Sequence, residues 1–98
     1  MITVALITDT TNCPAAQWQF DKVLAAIAYD CEMYIIFIHN GKQQLLTNNA
    51  WKCLDLYGVE EVFYLADETA PIEKSIFKVR EINTKQLKKL LNRSDIII

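Results

Sequence analysis

Cys13 stands directly before Pro14, where the polar loop Asp9 to Pro14 (DTTNCP) gives way to a helical pattern. Proline suits the first position of a helix. The thiol therefore falls at a helix N-terminus, where the dipole and free N–H groups lower a thiol's pKa and favour the nucleophilic thiolate. No base or resolving thiol stands near it in sequence, and thiol catalysis needs one, so the balance favours a loop cysteine without chemistry. His39 is the second candidate. It is the chain's single histidine and precedes Asn40-Gly41 at the end of an apolar strand, where it could shuttle a proton near neutral pH. A turn histidine without catalytic duty is the favoured account. Asp9, Thr10 and Thr11 follow the first strand, where open α/β sheets bind phosphate, but this loop has hydroxyls and no glycine. No cofactor is expected.

The other two cysteines read as structural. Cys31 falls at a helix-to-strand junction on the opposite edge, and Cys53 falls in a helix beside Trp51 and Leu54, where it packs as a small hydrophobe. Three widely spaced cysteines with no CxxC and one histidine suit neither a disulfide framework nor a zinc site. Lys85, Lys89 and Arg93 form an i, i+4 stripe opposite a leucine stripe. Such a stripe is a solvated face whose one functional reading is complementarity to an acidic partner.

The elements that must position these residues follow from periodicity. Ile2 to Thr8 (ITVALIT) is β-branched and apolar on both faces, as a central parallel strand requires. From Ala15 to Tyr29, residues Ala16, Phe20, Val23, Leu24 and Ile27 recur at helical spacing. Met33 to Ile38 (MYIIFI) is a second buried strand. Thr47 to Tyr57 reads as a helix with Ala50, Trp51, Leu54 and Leu56, ended by Gly58. Val59 to Ala66 reads as a third strand, and Ser75 to Ile82 as a half-exposed, peripheral one. Asn83 and Gln86 resemble a capping box for a last helix with Leu87, Leu90 and Leu91 inward, and Asp95 to Ile98 closes as a strand. This alternation predicts one α/β domain over residues 1–98, flavodoxin-like, with a mostly parallel sheet of about five strands and helices on both faces.

Composition narrows the function. Ninety-eight residues allow a single core, and a net charge of −2 offers no surface for a phosphate backbone, so direct nucleic-acid binding is not expected. No apolar run approaches the roughly 20 residues that span a bilayer, and no signal peptide is evident. A cytoplasmic protein without membrane contact is the expectation. A domain this small and 52% apolar leaves much of its apolar surface exposed. Trp51, Leu54 and Tyr57 are therefore expected in a subunit interface.

Several segments, in order, resemble the DsrE/DsrF-like sulfur-relay family, above all its TusC/DsrF branch. FDKVLAAIAYD is similar to that family's Leu-Asp-x-x-Leu-Ala helix, MYIIFI to its Val-x-Val-Leu-Phe strand, and NGKQQLL to its Asp-Gly-x-x-Gln-Leu-Leu turn. LDLYGVEEVFYLADE (Leu54 to Glu68) resembles its Leu-x-Leu-Tyr-Asp-Ile-Glu-Glu-Val-Tyr-Val-Cys-x-Glu stretch, and LKKLLNRSDIII its closing helix and strand. The segment between Leu46 and Trp51 and the loop after Glu68 are both shorter than is usual in the family. The catalytic branch carries a persulfide-forming cysteine near the end of the third strand, whereas this chain has Phe63-Tyr64-Leu65-Ala66 there. The resemblance thus implies a subunit with no catalytic residue of its own.

The same resemblance implies partners: two related small sulfur-relay subunits, one with the active cysteine, in a cytoplasmic hetero-oligomer. Such a complex relays persulfide sulfur for 2-thiolation of the tRNA wobble uridine. A DsrF-like role in dissimilatory sulfur oxidation is an alternative of the same class. A stand-alone flavodoxin-like binding module or thiol enzyme using Cys13 is one of another class.

Overall fold

The computed structural model describes residues 2–9, 14–29, 32–47, 49–59, 61–66 and 79–98. Five strands, β1 (Ile2–Ile7), β2 (Glu32–Phe37), β3 (Val62–Leu65), β4 (Arg80–Ile82) and β5 (Ile96–Ile97), form one sheet in the order β4-β3-β2-β1-β5. Every neighbouring pair is parallel, and β1 and β2 run in register from Ile2 beside Glu32 to Ile7 beside Phe37. Helix α1 (Pro14–Ala28) links β1 to β2, and α4 (Thr84–Arg93) links β4 to β5. Between β2 and β3 the chain makes a 3-10 turn (His39–Gln43), a single α turn α2 (Gln44–Thr47), a second 3-10 turn (Asn49–Lys52) and another single turn α3 (Cys53–Leu56).

Strand alternation divides the core in two. Ala5, Ile7, Met33, Ile35, Phe37 and Val62 face one way and meet Val23 of α1 together with Leu45, Trp51 and Leu54. Val4, Ile36, Ile38, Phe63, Leu65 and Ile82 face the other way, and Leu87, Leu90 and Leu91 of α4 pack against them. The result is the expected flavodoxin-like three-layer architecture. Its strand order departs from the 2-1-3-4-5 order of flavodoxin itself. Here β1 to β4 advance in one direction and the chain reverses only for β5. The connections after β1 and β2 therefore lie on the same face, and no crevice opens between those two strands.

Local chemistry explains the element ends. Pro14 is the first residue of α1. The Asn83 side chain accepts from the Gln86 N–H at 2.8 Å while the Gln86 side chain accepts from the Asn83 N–H at 2.9 Å, a complete capping box on α4. Asn83→Ala is expected to cost about 1 kcal/mol and to lower the melting temperature by roughly 4–8 °C, measured by far-UV circular dichroism. An unchanged transition would show the cap contributes nothing. Gly58 adopts φ 72 after α3, and the Val59 N–H donates back to the Leu54 carbonyl at 3.0 Å. This Schellman closure uses Val59 to end the helical segment, so β3 starts at Val62 rather than at the expected Val59.

The expected continuous helix from Thr47 to Tyr57 is not formed. Thr47-Asn48-Asn49 is a run of weak helix formers, and the segment divides into short turns that carry Trp51 into the core. At the sheet's far edge, β4 shows charged side chains outward. Arg80 pairs with Glu61 at 2.6 Å and lies over the Phe63 ring at 4.8 Å, which blunts the edge against further pairing. The part of the expected peripheral strand before Val79 lies outside the described residues.

Candidate functional site

The carboxyl edge of β1, β2 and β3 is where an open parallel sheet places its chemistry, and here the segment after β2 crosses it. His39 stands at φ 49, in the left-handed region, and is exposed. Histidine visits that region more readily than most residues. The turn is held by the Gly41 N–H donating to the Ile38 carbonyl at 2.9 Å, while the Ile38 N–H donates to the Ile7 carbonyl at 3.0 Å. Gly41 then passes so close to the end of β1 that a Cβ on it would lie 1.9 Å from the Ile7 carbonyl oxygen. No side chain fits there.

The next residues fasten the edge. Lys42 is buried, and its Nζ donates to the Leu65 carbonyl at the end of β3 at 3.1 Å. A buried ammonium needs partners of this kind to offset its desolvation. Gln44 is fully buried and links two elements: its Nε2 donates to the Asp9 carbonyl at 2.6 Å, and its Oε1 accepts from the Trp51 indole N–H at 2.8 Å. Trp51 in turn meets Phe20 and Phe37 edge-on at ring-centroid distances of 4.8 and 5.2 Å, a favourable aromatic geometry. From α1, Gln19 donates to the Leu6 carbonyl at 3.1 Å and accepts from the Thr8 N–H at 3.4 Å. Strand-end carbonyls and amides that the ladder leaves unpaired are thus met by side-chain amides and one ammonium.

Sequence-derived candidates distribute as follows. His39 and Asp9 sit at this edge, and the Thr8 hydroxyl donates to the Asp9 carboxylate at 3.4 Å. Cys13 and Cys31, like Thr10 and Thr11, lie outside the described residues. Cys53 is half-buried, and burial pushes its thiol above the ordinary value, which keeps it protonated and a poor nucleophile. Trp51 and Leu54, expected in an interface, are core residues instead at 0% and 2% exposure. The broken helix turns both side chains onto the sheet, where no partner can reach them. Tyr57, 57% exposed, remains available beside Leu56 at 87%. Lys85, Lys89 and Arg93 are exposed on α4, together with Lys88.

Reading the chain for chemistry passes over Gln19, Lys42 and Gln44. The available signal is the polar pair Lys42 and Gln44 directly before an apolar run, with Trp51 seven residues after Gln44. Among the described residues no group of three or more His, Cys, Asp or Glu side chains is arranged to hold a metal ion. No helix among them is long and apolar enough to cross a membrane. The arrangement is polar, with the buried Lys42 and Gln44 side chains donating to backbone carbonyls and the Trp51 indole to Gln44. Chemically it suits shaping and bracing an edge. No known family model matches the chain, and no curated protein matches it in sequence.

Proposed function

We propose that this chain is a non-catalytic structural subunit of a cytoplasmic sulfur-relay complex that delivers persulfide sulfur for 2-thiolation of the tRNA wobble uridine. One observation carries the reading. The stretch NGKQQLL, central to the family resemblance, is the stretch that braces the carboxyl edge through Gly41, Lys42 and Gln44. An edge filled by its own buried side chains suits a scaffold beside a reactive sister subunit. The end of β3, where catalytic relatives hold their cysteine, reads Phe63-Tyr64-Leu65-Ala66. In the relay, a sister subunit's thiolate attacks the outer sulfur of an incoming persulfide. The old S–S bond breaks, the donor leaves as a thiolate, and the new persulfide passes on by the same exchange. This chain holds the complex together and walls the pocket around that cysteine.

The test has two arms. Co-expression with genomic neighbours that encode related small subunits should yield a hetero-oligomer by intact-complex mass measurement. Replacing Cys13, Cys31 and Cys53 together by serine should leave wobble-uridine thiolation within about twofold of normal in cells dependent on this gene. That margin is under 0.5 kcal/mol in an equilibrium at 1.4 kcal/mol per tenfold. A chain that stays monomeric beside its neighbours defeats the proposal. Loss of thiolation from Cys13→Ser alone, at normal protein levels, defeats it in favour of a thiol enzyme. Unchanged thiolation in a deletion strain, with sulfur oxidation lost, would move the subunit to the DsrF-like role.

A further inference from the structure

Helix α1 presents a second stripe, opposite the one packed on the sheet. Trp18, Lys22, Ala25 and Tyr29 follow a 4-3-4 spacing and all are exposed, Trp18 at 63% and Tyr29 at 84%. The Tyr29 N–H donates to the Ala25 and Ala26 carbonyls at 3.2 Å, so helical bonding continues through the last member. The stripe runs for about 16 Å at 1.5 Å per residue. A 4-3-4 spacing is the seam of a helix pair, and Trp and Tyr are the side chains most enriched among interface anchors. Lys22 lies with its Nζ 4.1 Å from the Trp18 ring centroid, and so covers only part of the indole.

Symmetry, charge and area indicate what occupies this stripe. Turned end for end about a two-fold axis between Lys22 and Ala25, it complements itself. Trp18 of one copy then comes opposite Tyr29 of the other, and the Lys22 stem lies over the shallow surface at Ala25. Helix α1 carries one acid and one base, Asp21 and Lys22, so it brings no net charge to a contact with its own copy. The outer face of α4, with Lys85, Lys88, Lys89 and Arg93 and no acid, would instead repel its own copy. Leu56 and Tyr57 end the neighbouring connection on the same face, and like Tyr29 they lie toward the amino edge of the sheet. At 150–250 Å² per aromatic side chain, the exposed shares of Trp18, Tyr29 and Tyr57 offer roughly 300–500 Å², to which the exposed Leu56 adds, against ~800 Å² per partner in a standard interface.

We propose that a second copy of this chain docks on the outer stripe of α1, forming an isologous dimer anchored by Trp18 against Tyr29. The contact is independent of the sulfur-relay reading. Sedimentation velocity of the full chain over a micromolar concentration series should show a monomer–dimer equilibrium. Iodide quenching of Trp18, the exposed one of the two tryptophans, should fall as dimer forms. Trp18→Glu and Tyr29→Lys should each weaken association by at least about tenfold, as expected for anchor residues. Trp18→Phe should largely retain it, and Lys85→Ala on α4 should leave it unchanged. The near-UV dichroism of the buried Trp51 reports that each variant is folded. A wild-type chain monomeric throughout the series, or a dimer insensitive to both α1 variants, overturns the proposal.

Discussion

Gly41→Ala is expected to destabilise the domain by about 3 kcal/mol, the upper part of the range for added methyl groups in packed interiors. The added carbon would lie 1.9 Å from the Ile7 carbonyl oxygen, 2.5 Å from its carbon and 3.0 Å from the Thr8 nitrogen. All three are backbone atoms, so no rotamer change relieves the overlap. β1 is also held on both sides, by β2 and β5, and cannot retreat alone. The turn must lift instead, and lifting it strains the Lys42 bond to Leu65 and the Gln44 bond to Asp9. Gly58→Ala is the control. It has open space but φ 72, so its cost is the left-handed conformation, about 1–2 kcal/mol, partly offset by the stiffer unfolded chain. Urea denaturation should rank Gly41→Ala well below Gly58→Ala. Equal losses would mean that the close approach at Ile7 does not constrain the edge.

That comparison marks where the sequence was legible. Pro14 opens α1, and the two apolar runs form β1 and β2 within a residue of their expected bounds, because helical and strand periods differ sharply there. The capping box at Asn83 was equally readable, since its signal is confined to four residues. Gly58 announced a helix end by type alone. What remained hidden was non-local. Gly41 reads as a turn glycine beside Asn40, and only the approach of β1, more than thirty residues earlier in the chain, makes it irreplaceable. Trp51 reads as one of several helix aromatics. Its enclosure follows from a helix broken at weak formers and from a hydrogen bond to Gln44 that no periodicity encodes. The exposed stripe of α1 was hidden for the opposite reason: a pattern search for the core follows Phe20, Val23 and Ile27 and ignores the residues between them.

The second large effect is expected at Trp51. Trp51→Ala should cost about 3–5 kcal/mol from lost burial and the cavity left behind, a large share of the roughly 5–15 kcal/mol that stabilises a domain. A charged replacement should therefore unfold the chain rather than dissociate an assembly, because Trp51 is fully enclosed. A finer experiment separates packing from hydrogen bonding. Trp51→Phe keeps an aromatic ring between Phe20 and Phe37 but removes the indole N–H that donates to Gln44 Oε1, and Gln44→Leu removes the indole's acceptor and the amide that donates to the Asp9 carbonyl. Each single change should cost about 1–3 kcal/mol for the buried hydrogen bonding it breaks. In the double variant the Gln44–Trp51 pair is removed from both sides, and the Asp9 carbonyl loses its amide donor as it does in Gln44→Leu alone. Its loss should fall short of the summed single losses by about 1 kcal/mol or more, the coupling expected of direct contacts. Additive losses, agreeing within about 0.5 kcal/mol as for distant sites, would show that the indole–amide bond does not brace the edge. The fit of the aromatic rings would then hold Trp51 in place by itself.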